Sequence, residues 1–183
     1  MKSETVTIQN IFQDRRQYCV PFYQRAYVWT LEEQWQQLWE DIRDKAEARL
    51  AKQKATPHFL GAVVLDPQAR EGLIGVDVFH IIDGQQRFTT LQFVLGSVLL
   101  TMKRLSLDGL VKIVTECTRN GNPDTMRDRN VEVVKVWPTF RDRRQCTLAL
   151  KSPGVEALSN ECPATYRRAD EFRRPRQEES RGG

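Results

Sequence analysis

The sequence predicts an α+β fold, a small mixed sheet flanked by helices with a helical extension towards the C-terminus. Three observations predict it. Short β-branched apolar runs at 58–65, 76–82 and 131–137 are bounded by turn residues, as strands are. Residues 30–52, 88–105 and 108–118 instead carry apolar side chains three and four apart, as helices do. The two kinds of segment interleave with no internal repeat, which suits helices covering one sheet.

Taken in order, residues 5–12 (TVTIQNIF) are too short for periodicity to separate a strand from the lead into a helix. Residues 17–23 (QYCVPFY) read as extended, with Pro21 marking a strand end because it removes a backbone donor. The helix over 30–52 starts at Thr30, with Glu33 completing a capping box. Trp35, Leu38, Trp39, Ile42, Ala46 and Leu50 form its apolar stripe, and Glu40, Asp41, Arg43 and Asp44 form its solvated face. The strand at 58–65 (HFLGAVVL) ends at Asp66-Pro67, and 66–75 connects it to the strand at 76–82. In the helix that follows, Leu91, Val94, Leu95, Val98, Leu99 and Met102 share one face. A second helix at 108–118 is stopped by Gly121-Asn122-Pro123. The strand at 131–137 (VEVVKVW) is broken by Pro138-Thr139, and a helix begins near 141. Beyond Ser152 the periodicity fades, and 166–183 reads as a frayed, disordered tail.

Composition narrows the function. The 183 residues make room for one ordinary domain. No run approaches the roughly 18 apolar residues of a membrane span, and Met1-Lys2-Ser3-Glu4 lacks an apolar signal core. Neither secretion nor a membrane partner is expected, and the cytoplasm is the expected location. Cys19, Cys117, Cys146 and Cys162 form no CxxC, and His58 and His80 lie 22 apart, so zinc-finger and HNH-type metal sites are excluded. The net charge of +4 falls entirely after residue 118, since residues 1–118 hold 14 basic and 14 acidic side chains. That neither demands nor excludes nucleic acid.

Two clusters carry chemistry. In Pro21-Phe22-Tyr23-Gln24-Arg25-Ala26-Tyr27-Val28-Trp29 the aromatics either fill a core corner or frame a ligand. The Gln24 amide beside the Arg25 guanidinium suits a base edge, a phosphate or a carboxylate. In Ile81-Ile82-Asp83-Gly84-Gln85-Gln86-Arg87-Phe88-Thr89-Thr90 an apolar strand ends in Asp-Gly before a helix. Residues 83–87 are expected to form a loop. The turn gathers free N–H groups and the positive end of the helix dipole, an anion site. Gly84 lets backbone approach a phosphate, Arg87 adds charge-assisted bonds, Thr89 and Thr90 add hydroxyls, and Asp83 can hold Mg²⁺ with waters. The alternative is a plain turn with Gln86 and Arg87 in solvent. No GxxxxGK[ST] P-loop is present.

PFYQRAYVW, HFLGAVVLD and HIIDGQQRFTTL, in this order, resemble the N-terminal domain of the GmrSD family, bacterial restriction systems that attack modified DNA. KVWPTFRDRRQ resembles a further family segment, and the resemblance covers roughly 5–150. It implies a ParB/sulfiredoxin-like fold and an NTP-binding, hydrolysing activity. Carried over by position, it implies Asp83, Gln85, Gln86 and Arg87 as catalytic and Gln24, Arg25, Gly84 and Arg87 as nucleotide-binding, to which Thr89 is added from its place at the helix start. Asp83 is then the Mg²⁺ residue, and Gln85 or Gln86 orients water. The resemblance divides the chain into a nucleotide-binding region at 1–118, a following strand and helix region at 119–151, and an atypical tail at 152–183.

His58 is read as structural. Family members continue to an HNH nuclease, for which this chain lacks histidines, so a truncated product, a stand-alone subunit or a fragment is expected. The expected partners are a nucleoside triphosphate and, through a separate nuclease domain or subunit, modified DNA. Two rivals remain. One is a ParB-like DNA-binding or nicking domain using Arg15, Arg16, Arg25 and the arginines of 141–144. The other is an inactive truncated remnant.

Overall fold

The computed structural model describes residues 3–54, 56–70 and 72–151. The tail reading for 152–183, and Cys162 with it, lies outside the described residues.

The ambiguous start resolves as helix α1 (Ile8–Gln13), because the Thr7 side chain accepts from Asn10 N at 3.1 Å and caps it. Strand β1 (Arg16–Cys19) follows. At 30–52 the helix opens with a wide π turn (Leu31–Trp35) before α2 (Gln36–Leu50). Trp35 N reaches back five residues to Thr30 O at 3.1 Å. That turn displaces the capping partner by one residue. Gln34, not Glu33, accepts from Thr30 N, and Thr30 makes no side-chain cap. The apolar stripe of α2 is helical as expected, but no residue of α2 is buried.

Strand β2 is Val64–Pro67 rather than 58–65. The apolar run before it is stopped from pairing by Gly61, at φ 97°, and by Leu60 O, which accepts from Arg87 Nη1. Strand β3 (Asp77–Asp83) pairs antiparallel with β2 and parallel with β1. Helix α3 (Gln85–Arg104) begins immediately, with Phe88 N bonded to Gly84 O at 3.0 Å. The expected loop at 83–87 is therefore a strand end, a cap and the first helical turn. Gly84 makes this possible at φ 96°, and a Cβ there would lie 2.5 Å from Val63 Cγ1.

Helix α4 (Asp108–Thr118) matches expectation. The β-branched run at 131–137 does not. It is a short helix α5 (Arg129–Glu132) and then a two-residue strand β4 (Val136–Trp137). Asp128 caps α5 by accepting from Asn130 N, and the Glu132 carboxylate accepts from Val76 N and Arg127 N. These local partners outweigh strand propensity. Helix α6 (Arg143–Lys151) ends the described chain.

The sheet order is β2-β3-β1-β4, with β1 parallel to both neighbours. The stretch after residue 118 thus shares its sheet with the stretch before it. Phe12, Tyr18, Val20, Ile81, Phe88, Leu91, Cys117 and Val136 form the core. Its centre is aromatic, with Phe88 4.9 Å from Tyr18 and 5.2 Å from Phe12, edge to face. Since β3, β1 and β4 run parallel, the segments leaving Asp83, Cys19 and Trp137 emerge at one end of the sheet. In sheets with parallel strands that end is where ligands bind. Among the described residues no helix is long and apolar enough to cross a membrane.

Candidate functional site

The segment after β1 folds back over the start of α3 and is held there by two glutamines. Gln85 Nε2 donates to Arg25 O at 3.0 Å. Gln86 Nε2 donates to Ala26 O at 3.1 Å, and its Oε1 accepts from Val28 N at 2.9 Å. Gln24 is tied to the strand beneath, with Nε2 donating to Ile82 O at 2.9 Å. The two sequence clusters therefore meet, joined side chain to backbone. The turn they make leaves Phe22 95% exposed, so this ring does not fill a core corner.

Between them opens a small cleft lined by Val20, Arg25, Tyr27, Gln85, Gln86, Thr89, Pro138, Thr139 and Asp142. The buried Asp142 carboxylate closes one side. Its Oδ2 accepts from Tyr27 N at 2.9 Å and from the Thr139 hydroxyl at 2.7 Å. The Thr90 hydroxyl donates to Gln86 O, so the Tyr27 hydroxyl donates to Thr90 across their 2.6 Å contact. Burial raises the Tyr27 phenol above its usual range and pushes the Cys146 thiol up to about 12. Both stay protonated at neutral pH and neither serves as a base.

The other expected residues lie on the opposite flank of the α3 N-terminus. Arg87 spans Leu60 O at 3.5 Å and Asp83 Oδ2 at 3.4 Å, and it does not line the cleft. Its guanidinium passes directly over Gly61, where a Cβ would sit 1.9 Å from Nη1. His58, read as structural, pairs with Asp41 of α2 at 3.4 Å. Asp83 is exposed and offers a single carboxylate. Among the described residues no group of three His, Cys, Asp or Glu side chains gathers. A divalent cation at Asp83 would therefore take the rest of its shell from phosphate oxygens and water, the usual arrangement for Mg²⁺.

The arrangement thus has two flanks around one helix start. One is a partly buried polar cleft with Arg25, Gln85 and Thr89. The other is an open shelf with Asp83 and Arg87, beside Gly84, which is itself buried against Val63. Asp142 and Thr139 are the polar cleft residues that motif reading missed, and Tyr27 was named there only as one of the aromatics. The available signal was Thr139 three residues before Asp142 ahead of a helix, the spacing of a capping pair.

A family model described as the GmrSD restriction endonuclease N-terminal domain matches residues 8–179. The match is longer than the span of about 5–150 covered by the motifs. A search of curated proteins found no match.

Proposed function

The chain belongs to the family of GmrSD restriction endonuclease N-terminal domains, and from that premise we propose that it is the nucleoside-triphosphate-binding, hydrolysing module of a restriction system. The nuclease it serves lies in another domain or subunit, and modified DNA is reached through that partner.

One observation carries the reading. The Gln85 and Gln86 side chains hold the Arg25–Val28 backbone against the first turn of α3, at the end of the sheet where its parallel strands finish. A helix start with free N–H groups, next to Arg87 and facing Arg25, attracts phosphate by both dipole and charge. On the shelf, Arg87 and the α3 amides hold the phosphates, Gly84 sets the left-handed turn that starts α3 beneath Val63, and Asp83 is the residue for Mg²⁺. Bound there, the cation offsets charge on the transferring phosphoryl group. Gln86 is a clasp, since both ends of its amide are used. Gln85 leaves Oε1 buried and unpaired.

Titration calorimetry with ATP, GTP, CTP and UTP, with and without Mg²⁺, tests binding. Phosphate release tests turnover. Absence of binding by all four would remove the reading.

A second reading, direct DNA contact, has one observation in its favour. Phe22, Tyr23 and Phe140 are 95, 64 and 82% exposed, on the segments that leave β1 and β4 at one end of the sheet. Arg25 and Arg141 share those segments. Arg15 and Arg16 do not, because they lie at the opposite end of β1 and are engaged by Thr125 and Asp14. Salt-dependent DNA binding without nucleotide would favour this reading.

A further inference from the structure

Phe59 stands in water on a segment that is tied down on both sides of it. The residue is 78% exposed, whereas Leu60 beside it packs against the core. Before it, Thr56 Oγ1 accepts from Lys45 Nζ at 2.9 Å, and His58 pairs with Asp41 at 3.4 Å, both partners lying on α2. After it, Leu60 O accepts from Arg87 Nη1, and Gly61 lies beneath the guanidinium. The ring is therefore presented by a held backbone. A single exposed apolar side chain is ordinary and assigns nothing by itself. What distinguishes Phe59 is its place.

Sheet topology puts it beside the phosphate shelf. Strand β2 begins opposite the end of β3, with Val64 paired to Asp83. The segment that enters β2 therefore runs past Asp83 and Arg87. By covalent lengths alone, the Phe59 ring lies within about 13 Å of the Arg87 guanidinium, counted through Leu60 O. A nucleotide with its phosphates at Arg87 reaches that far with its base. The cleft on the other flank of the α3 start offers no alternative, because it has room for about one water. Phe22 and Tyr23 are exposed on the β1 side of the shelf, but they lie edge to face on each other at 5.5 Å. Among the described residues no ring lies against Phe59.

We propose that Phe59 is the platform on which the nucleotide's base stacks, with the phosphates on Arg87 and the first turn of α3. The proposal rests on the nucleotide reading above and deepens it. An aromatic face meets the π surface of any base and reads no hydrogen-bonding pattern, so the site accepts all four bases. Purines bind more tightly than pyrimidines, since their two rings overlap more of the platform. A free nucleotide is favoured over a base presented by DNA, because the helix start that attracts phosphate adjoins the ring.

The test compares unmodified protein with Phe59→Ala, Phe59→Trp and Phe22→Ala. The probes are the four nucleoside triphosphates, inorganic triphosphate and a mixed-sequence single-stranded oligodeoxynucleotide, all with Mg²⁺. In the unmodified protein each purine nucleotide should bind about tenfold tighter than inorganic triphosphate, as for one base stacked on one ring. Phe59→Ala should bring the nucleotides to the inorganic triphosphate value, which itself should stay unchanged. Phe59→Trp should keep the advantage, and Phe22→Ala should leave it alone. Four results overturn the proposal while leaving the nucleotide reading intact. The first is equal affinity for inorganic triphosphate and all four nucleotides in the unmodified protein. The second is a nucleotide advantage that survives Phe59→Ala or is lost in Phe22→Ala. The third is an equal fall for nucleotides and inorganic triphosphate in Phe59→Ala, as for a ring that only supports the shelf. The fourth is an oligonucleotide that binds as tightly as the best triphosphate and displaces it. Binding of no triphosphate overturns the proposal and the nucleotide reading together. The first comparison needs no variant, so it decides even if a substituted protein fails to fold.

Discussion

Adjacent residues of one motif do different jobs. Gln86 uses both ends of its amide on backbone, so Gln86→Leu strands Val28 N and Ala26 O in a part-buried place. Loss of two such bonds should cost about 2–4 kcal/mol, read as a lower denaturation midpoint with unchanged slope. Arg87 is the contrary case. Its bonds to Leu60 O and Asp83 are long, at 3.5 and 3.4 Å, and the side chain is 28% exposed. Arg87→Ala should therefore lower stability by no more than about 1 kcal/mol. Triphosphate affinity should fall roughly 10- to 100-fold, as for loss of a charge-assisted contact. Arg87→Lys should recover part of that affinity, because an ammonium cannot make a two-pronged contact. Calorimetry and melts on the same proteins separate the effects, and unchanged affinity in Arg87→Ala would sink its phosphate role. The sequence named both residues as candidates but could not assign these jobs. Which side chain a backbone carbonyl meets is a long-range fact, as in the 60-residue separation of Gln85 and Arg25.

At the scale of elements, local chemistry set most boundaries where sequence reading missed them. The π turn moved the α2 cap from Glu33 to Gln34, and Asp128 with Glu132 turned half of a β-branched run into helix. Strand β3 and helices α3 and α4 were legible because their periodicity is long and uninterrupted. The segment 58–63 was not, because what holds it out of the sheet is Arg87, contributed by another element. Gly61 is the hinge of that interlock, and it allows a controlled comparison. Gly61 and Gly72 both have left-handed backbone, at φ 97° and 86°, but only at Gly61 would a Cβ strike Arg87. Gly72→Ala should cost about 1 kcal/mol of backbone strain alone. Gly61→Ala should cost more, about 2 kcal/mol, since the guanidinium must also leave Leu60 O. Gly61→Ala should also weaken triphosphate binding, whereas Gly72→Ala should not. Equal stability losses and equal affinities in the two variants would show that the Arg87 interlock carries no weight.

For the whole molecule, the unusual feature is a lysine in the interior. Lys135 is 1% exposed, with its ammonium donating to Asp14 O, and burial lowers its pKa from the usual 10.5 to about 8. The sequence hid it inside VEVVKVW, because alternation alone cannot say which face of a short segment is covered. Its consequence for stability has a definite sign. Between about pH 8 and 10.5 the folded protein has released a proton that the unfolded chain still holds, so stability rises with pH in that window. Two thiols, Cys19 half-buried and Cys146 buried, act oppositely. Burial pushes Cys19 from 9.0 to about 11 and Cys146 to about 12, so above pH 9 the folded state keeps protons that the unfolded chain loses. Stability should climb from pH 7.5 to about 9 and then fall, as two thiols outweigh one amine. In Lys135→Met the climb should vanish while the fall remains. That variant should also melt higher at pH 7, by about 2–5 °C, since an ammonium is no longer buried and the Asp14 carbonyl, near the surface, can bond water. Melting curves of both proteins at half-unit steps from pH 6 to 10.5 would show it. A variant that melts lower at pH 7 while the unmodified protein shows no rise to pH 9 would mean that Lys135 stabilises the fold as a charged group, contrary to its burial.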